Sequence, residues 1–142
     1  MTEIITHSAA ETVDFAKQLA LKLHNGDVLA YRGGMGAGKT AFTRGLALGL
    51  GLGDVVSSPT FALVNEYRGK GTTLYHFDMY RIDGYDDLYS TGFFDYLNSD
   101  GILAVEWSEN ITEDLPDNTI TVTITPLDET TRKIKVEGGN RF

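Results

Sequence analysis

Apolar residues change their spacing several times along this chain, and each change marks an element. Phe15, Ala16, Leu19, Ala20 and Leu23 fall on one helical face. Ser8-Ala9-Ala10-Glu11 just before them is a capping-box pattern, and Asn25-Gly26 after them supplies a stop. A short strand around residues 3–6 precedes this helix. Residues 27–32 form a short apolar run bounded by Asn25-Gly26 and by further glycines, which predicts a buried strand. Phe42, Leu46 and Leu50 then recur every four residues, as on one face of a second helix.

The second half alternates more often. Residues 61–67 and 72–80 read as two strands turned at Gly69-Lys70-Gly71, a β-hairpin. In the second of these, alternation puts His76, Asp78 and Tyr80 on one face and Phe77 and Met79 on the other. Between residues 86 and 98, Leu88, Phe93, Phe94 and Leu97 lie near helical spacing, but Gly92 interrupts them. One helix and two short ones fit equally. Ile102-Leu103-Ala104-Val105 is another buried strand. Residues 119–125 and 132–137 alternate with period two across a turn at Asp128-Glu129, a closing hairpin.

Central apolar strands joined through helices predict an α/β core with parallel strands, and the hairpins add antiparallel ones. At 142 residues the chain is long enough to bury roughly two thirds of its unfolded surface. Residues 1–142 therefore form a single compact three-layer domain with a mixed, partly parallel sheet. The absence of cysteine excludes disulfides and thiolate metal sites. No basic N-terminal segment leads into an apolar run, and no stretch is long enough to span a bilayer, so a soluble cytoplasmic protein is expected. Acids outnumber bases 20 to 12, for a formal charge of −8. A chain that grips nucleic acid needs a basic surface. This field disfavours direct RNA or DNA binding; it suits a solvated face or a basic protein partner.

The chemistry concentrates between the second strand and the second helix. Residues 33–40 read Gly-Gly-Met-Gly-Ala-Gly-Lys-Thr, a full Walker A P-loop. Gly33 and Gly38 allow the tight turn and the close approach of backbone N–H groups to phosphate oxygens. The Lys39 ammonium can reach the β- and γ-phosphates, and the Thr40 hydroxyl can hold magnesium. A glycine-rich turn that binds nothing is the bland alternative. The order strand, loop, helix argues against it, because it aims a helix N-terminus at the phosphates.

Other residues gain meaning from that loop. Ile102-Leu103-Ala104-Val105-Glu106 has the shape of a Walker B element, with Glu106 either holding magnesium through water or orienting the attacking water. Trp107 after it is a core or rim aromatic, or a nucleotide or partner contact. Ser57-Ser58-Pro59-Thr60 falls where a switch loop would, and Thr60 could sense the γ-phosphate; from local sequence alone an ordinary Ser/Pro turn entering a strand is the better reading. The row of His76, Asp78 and Tyr80 is either a site face or an exposed hairpin face. Arg44, Arg68 and Arg81 either steady phosphate charge or form surface ion pairs.

Taken together, Gly33–Thr40, Ser58-Pro59-Thr60, His76-Phe77-Asp78-Met79-Tyr80-Arg81 and Val105-Glu106-Trp107 closely resemble the TsaE family, small bacterial P-loop ATPases of the tRNA threonylcarbamoyladenosine pathway. The resemblance covers nearly the whole chain. It implies ATP and Mg2+ as ligands, with residues from Gly36 to Ala41, including Ala37, Gly38, Lys39 and Thr40, wrapping the phosphates. It implies Glu106 as a second ligand on the magnesium side beside Thr40. Asp78 would help place magnesium or the attacking water, and Thr60 would lie in the switch loop. Residues near Ser8 and Arg132 would meet the nucleotide base. It also implies weak ATP hydrolysis in isolation, and action in a complex with the TsaD and TsaB proteins that transfers threonylcarbamoyl to an adenosine of tRNA beside the anticodon. The tRNA would then be met only through the complex. Two positions depart from the family pattern. Gly34 stands where an acid is common, and Ala41 stands where Thr or Ser is common, which removes a side-chain hydroxyl near the α-phosphate.

Two other classes share the P-loop. A small-molecule kinase needs an acceptor pocket and usually an Arg-rich lid, and no such segment stands out. A nucleotide-gated binding protein of the GTPase kind would carry Asn-Lys-x-Asp and Asp-x-x-Gly, and both are absent.

Overall fold

The N-terminal capping pattern is the first to be met in the structure, a computed structural model that describes residues 1–33, 38–52, 64–69, 71–139 and 141–142. Strand β1 (Thr2–Thr6) leads into helix α1 (Ala9–Ala20). Ser8 Oγ accepts from Glu11 N at 3.1 Å. Glu11 returns the bond one residue earlier than a standard box, accepting from His7 N at 3.2 Å. Strand β2 (Val28–Arg32), helix α2 (Lys39–Gly49) and strands β3 (Val64–Arg68) and β4 (Thr73–Asp78) follow. The helical stretch divides into α3 (Tyr85–Ser90) and α4 (Phe93–Leu97). Gly92 between them has φ +81°, which stops one helix and starts the next. Strand β5 (Ile102–Glu106), a 3-10 segment (Ser108–Asp114) and the hairpin β6 (Ile120–Pro126) and β7 (Arg132–Gly138) complete the fold. The part of the expected hairpin strand at 61–63 lies outside the described residues.

The strands join into one sheet in the order β1-β7-β6-β2-β5-β4-β3. β2 runs parallel to both β5 and β6, and β4 runs parallel to β5. The flanking pairs β3–β4, β6–β7 and β1–β7 are antiparallel. The first four residues of β2 and of β5 are all buried. Their near-continuous apolar runs reflect cover on both faces of the sheet. Leu29, Tyr31, Ile102 and Ala104 face a core built with Ala16, Leu19, Phe42 and Leu46 of α1 and α2. Val28, Leu103 and Val105 face the other, with Phe77, Met79, Leu88, Phe93 and Ile111. This is the three-layer α/β architecture expected from the sequence.

Helices α1 and α2 approach to backbone contact. A methyl group at Gly45 would lie 2.3 Å from Val13 O and 2.6 Å from Ala16 Cβ. At Gly49 it would lie 2.4 Å from Lys17 O and 2.6 Å from Ala20 Cβ. Two glycines four apart thus pack on two alanines four apart, which sets the spacing of the helices and of their N-termini. Gly45→Val must push the helices apart, and we expect it to lower stability by about 1–3 kcal/mol, the cost of overpacking a tight core. A urea midpoint equal to that of the unsubstituted chain would show that the contact is not constrained.

Candidate nucleotide site

The site lies at the carboxyl ends of the parallel strands, where β2 gives way to α2. Gly33 has φ +136° and Gly38, the N-cap of α2, has φ +102°. A side chain at either position would be strained, so the turn requires glycine. The first bond within α2 runs from Phe42 N to Gly38 O at 3.0 Å. The N–H groups of Lys39, Thr40 and Ala41 therefore have no acceptor within the helix, and the positive end of its dipole points the same way. Gly36 and Ala37 lie outside the described residues, as do Gly34 and Met35.

Lys39 is nearly buried, at 7% exposure. Its Nζ donates to Gly33 O at 3.1 Å and stands 3.9 Å from Glu106 Oε1. It also lies 5.1 Å from the centroid of the Trp107 ring, within cation–π range. Glu106 ends β5, the strand hydrogen-bonded to β2, which brings its carboxylate beside the P-loop lysine. Asp78 ends β4 in register with Glu106, so the two acids are neighbours on one face of the sheet. Asp78 Oδ1 accepts from Tyr80 N at 2.9 Å.

The polar row on β4 is not an exposed hairpin face. His76 is fully buried, and its Nε2 lies 2.6 Å from Glu106 Oε2. β4 ends at Asp78, earlier than the expected limit of 80, because the chain turns there toward α3. Tyr80 lies beyond the strand, 59% exposed, with its ring 4.9 Å from that of Trp107. Arg68 pairs with Glu66 at 2.8 Å on an exposed strand, so it is a surface ion pair. Arg81 is exposed.

A second set of contacts, not signalled by any local pattern, ties these strand ends together. Trp107 adopts φ +58°, the sole non-glycine with positive φ among the described residues. It turns the chain out of β5 so that Ser108 Oγ donates to Tyr31 O at 2.7 Å. Asn110 Nδ2 donates to Met79 O at 2.9 Å, joining the 3-10 segment to the end of β4. On the α2 side, Thr43 Oγ1 donates to Lys39 O at 2.8 Å and so accepts from the Tyr31 hydroxyl at 2.7 Å. Burial, aided by the nearby Glu106 charge, pushes the Tyr31 hydroxyl well above its ordinary pKa. It is a neutral donor.

Beside α2 a cleft of about 270 Å³ opens between the N-terminus of α1, the first turn of α2 and the β6–β7 turn. Ser8, Ala9, Gly38, Ala41, Thr130 and Arg132 are among its lining residues. Ser8, Ala41 and Arg132, far apart in sequence, thus meet at one place. The Arg132 guanidinium donates through Nη1 to Asp128 O at 2.7 Å and Thr131 O at 3.0 Å, which fixes it to the turn. The Thr130 and Thr131 N–H groups hold the Asp128 carboxyl below its usual pKa. Thr60 lies outside the described residues.

Among the described residues no group of three or more His, Cys, Asp or Glu side chains could hold a metal by itself. Magnesium needs no such cage, since it keeps waters and takes one or two protein ligands together with phosphate oxygens. One carboxylate, Glu106, and one hydroxyl, Thr40 on the first turn of α2, fit that demand. Among the described residues no helix is long and apolar enough to cross a membrane.

Comparison with known proteins agrees with this fold. Residues 6–134 match the family model described as threonylcarbamoyl adenosine biosynthesis protein TsaE. The tRNA threonylcarbamoyladenosine biosynthesis protein TsaE of Treponema pallidum is 36% identical over 132 residues, 93% of this chain and 97% of that protein. The TsaE of Bacillus subtilis is 38% identical over 138 residues, 96% of this chain and 86% of that protein. The crystal structure of Bacillus subtilis YdiB superposes with a TM-score of 0.80 at 35% identity, covering 99% of this chain and 88% of that one.

Trp107 is the single tryptophan, so its emission reports this corner of the site. Lys39→Ala removes the cation from its ring, and we expect a shifted or altered emission intensity in the absence of nucleotide. A spectrum superposable on that of the unsubstituted chain would mean that the ring does not sense Lys39.

Proposed function

The chain belongs to the TsaE family, and from that premise we propose that it is a magnesium-dependent ATPase working in complex with the TsaD and TsaB proteins. Family membership gives its role in tRNA threonylcarbamoyladenosine biosynthesis. The finer reading is that its ATP turnover supports threonylcarbamoyl transfer to the adenosine next to the anticodon. The observation that carries it is the meeting of Lys39, Glu106 and the α2 N-terminus, a cation, an acid and a row of N–H donors at one point.

In this reading the N–H groups at the start of α2 take the phosphate oxygens, and Lys39 leaves Gly33 O to meet the β- and γ-phosphates. Bound magnesium would supply charge neutralisation on those phosphates, held by Thr40 and, directly or through water, by Glu106. Glu106 or Asp78 orients the attacking water, and Thr60 serves as the sensor in the switch loop. The cleft at Ser8, Ala41 and Arg132 takes the base. With no hydroxyl at Ala41, the α-phosphate contact there is made by backbone N–H alone. The absence of guanine-recognition motifs supports ATP over GTP. The charge of −8 supports leaving tRNA contact to the partner proteins.

Reconstitution tests the proposal. The chain, ATP, magnesium, TsaD, TsaB, the threonylcarbamoyl donor and tRNA are combined, and modification turnovers are counted. We expect multiple turnovers with the unsubstituted chain and none with Lys39→Ala, which should also lose nucleotide binding in a direct titration. Glu106→Ala should bind nucleotide nearly as well but lose hydrolysis by about 100-fold or more, the scale of losing a positioned acid–base or orienting group. Modification that proceeds equally without this chain would sink the pathway role. Unchanged hydrolysis in Glu106→Ala would remove that residue from the mechanism.

A further inference from the structure

We propose that His76 is a positioning residue that holds Glu106 off Lys39, so that both charges remain usable. The inference rests on reading Glu106 as the water- or metal-side acid of an ATP site. His76 is completely buried, and an imidazole is buried at low cost only when its N–H is paired. Its Nε2 lies 2.6 Å from Glu106 Oε2, while among the described residues Nδ1 has no partner. The nitrogen facing the carboxylate therefore carries the hydrogen, and Nε2 donates. Ala104 is the register neighbour of His76 on β5, and its methyl group leaves the imidazole room to lean along the sheet to Glu106, two residues further on.

The consequence lies in the other oxygen. Glu106 Oε1 faces Lys39 Nζ at 3.9 Å, beyond hydrogen-bond range, although the two side chains are only 12% and 7% exposed. Opposite charges in so dry a site attract strongly. Unrestrained, they would close into a direct pair, occupying the lysine needed at the phosphates and the carboxylate needed at the water. Two anchors oppose that collapse: Lys39 is held on Gly33 O at 3.1 Å, and Glu106 is held on His76. One carboxylate oxygen is thus committed to the protein, and the other is presented to the site. Outer partners of this kind typically change activity 10- to 100-fold when removed.

The test combines kinetics with a readout independent of turnover. In the partner complex, His76→Leu should lower kcat roughly 10- to 100-fold with little change in nucleotide affinity. His76→Gln, whose amide N–H reaches toward the same oxygen, should recover most of the rate. Nitrogen–proton NMR of the unsubstituted chain should show His76 as the Nε2–H tautomer with a strongly downfield proton, and Glu106→Gln should move that proton upfield. Full kcat in His76→Leu, alongside an inactive Glu106→Ala, would overturn the role of His76 and leave the ATPase reading standing. If His76→Leu fails to fold, the NMR pair decides. An Nδ1–H tautomer, or a proton indifferent to Glu106→Gln, overturns the proposal. Absence of nucleotide binding by the unsubstituted chain would instead remove the ATPase reading, which the tautomer measurement does not depend on.

Discussion

Parallel pairing of β2 with β5 is the constraint on which the site depends. Leu29 pairs with Ala104 and Ala30 with Val105, so the two strands end within one residue of the same level. Gly33 and Lys39 leave one strand end as Glu106 leaves the other. A slip of one residue would turn Glu106 to the opposite face and put Val105 beneath the lysine, because side chains alternate along a strand. The register is secured by burial on both faces, with Leu29 and Ala104 in one core and Val28 and Leu103 in the other. Two apolar layers thus fix the position of two charges.

The charges are held in tension. Lys39 and Glu106 sit in a site that is nearly dry, close enough to attract and not close enough to bond. Around them the protein supplies fixed dipoles: the Gly33 carbonyl for the lysine and the His76 imidazole for the carboxylate. The chain Tyr31–Thr43–Lys39 O steadies the start of α2, and Ser108 ties the turn after β5 back to β2. Such preorganisation suits the proposed phosphate chemistry, which is mostly positioning and electrostatics.

The second structural condition is the close contact of α1 and α2. Gly45 and Gly49 let the helices meet at backbone distance, and this brings the α1 N-terminus at Ser8 beside the first turn of α2. The β6–β7 turn closes the third side with Arg132. A cleft made of three separated segments is therefore set by helix packing and by the sheet order, and not by any loop of its own.

Much of this was legible in the chain. The elements followed from hydrophobic period and from punctuation by Ser8, Gly26 and Gly92. The P-loop and the acid at 106 were legible because backbone geometry and phosphate chemistry impose residue types at fixed short spacings. The pairing of His76 with Glu106, the αL turn at Trp107 and the anchoring role of Ser108 and Asn110 left no local signal. They join residues 30 to 77 positions apart, and their geometry exists only once the strands are in register. The His76 row shows the division plainly. Alternation told which side chains share a face, and only the pairing of β4 with β5, which sets His76 against Glu106, decided that His76 is interior. Sequence by itself determined the local conformations and the chemical inventory, because these depend on neighbours within a few residues. Tertiary structure decided which charges meet and how far apart they are held, because distance between remote residues is a property of packing.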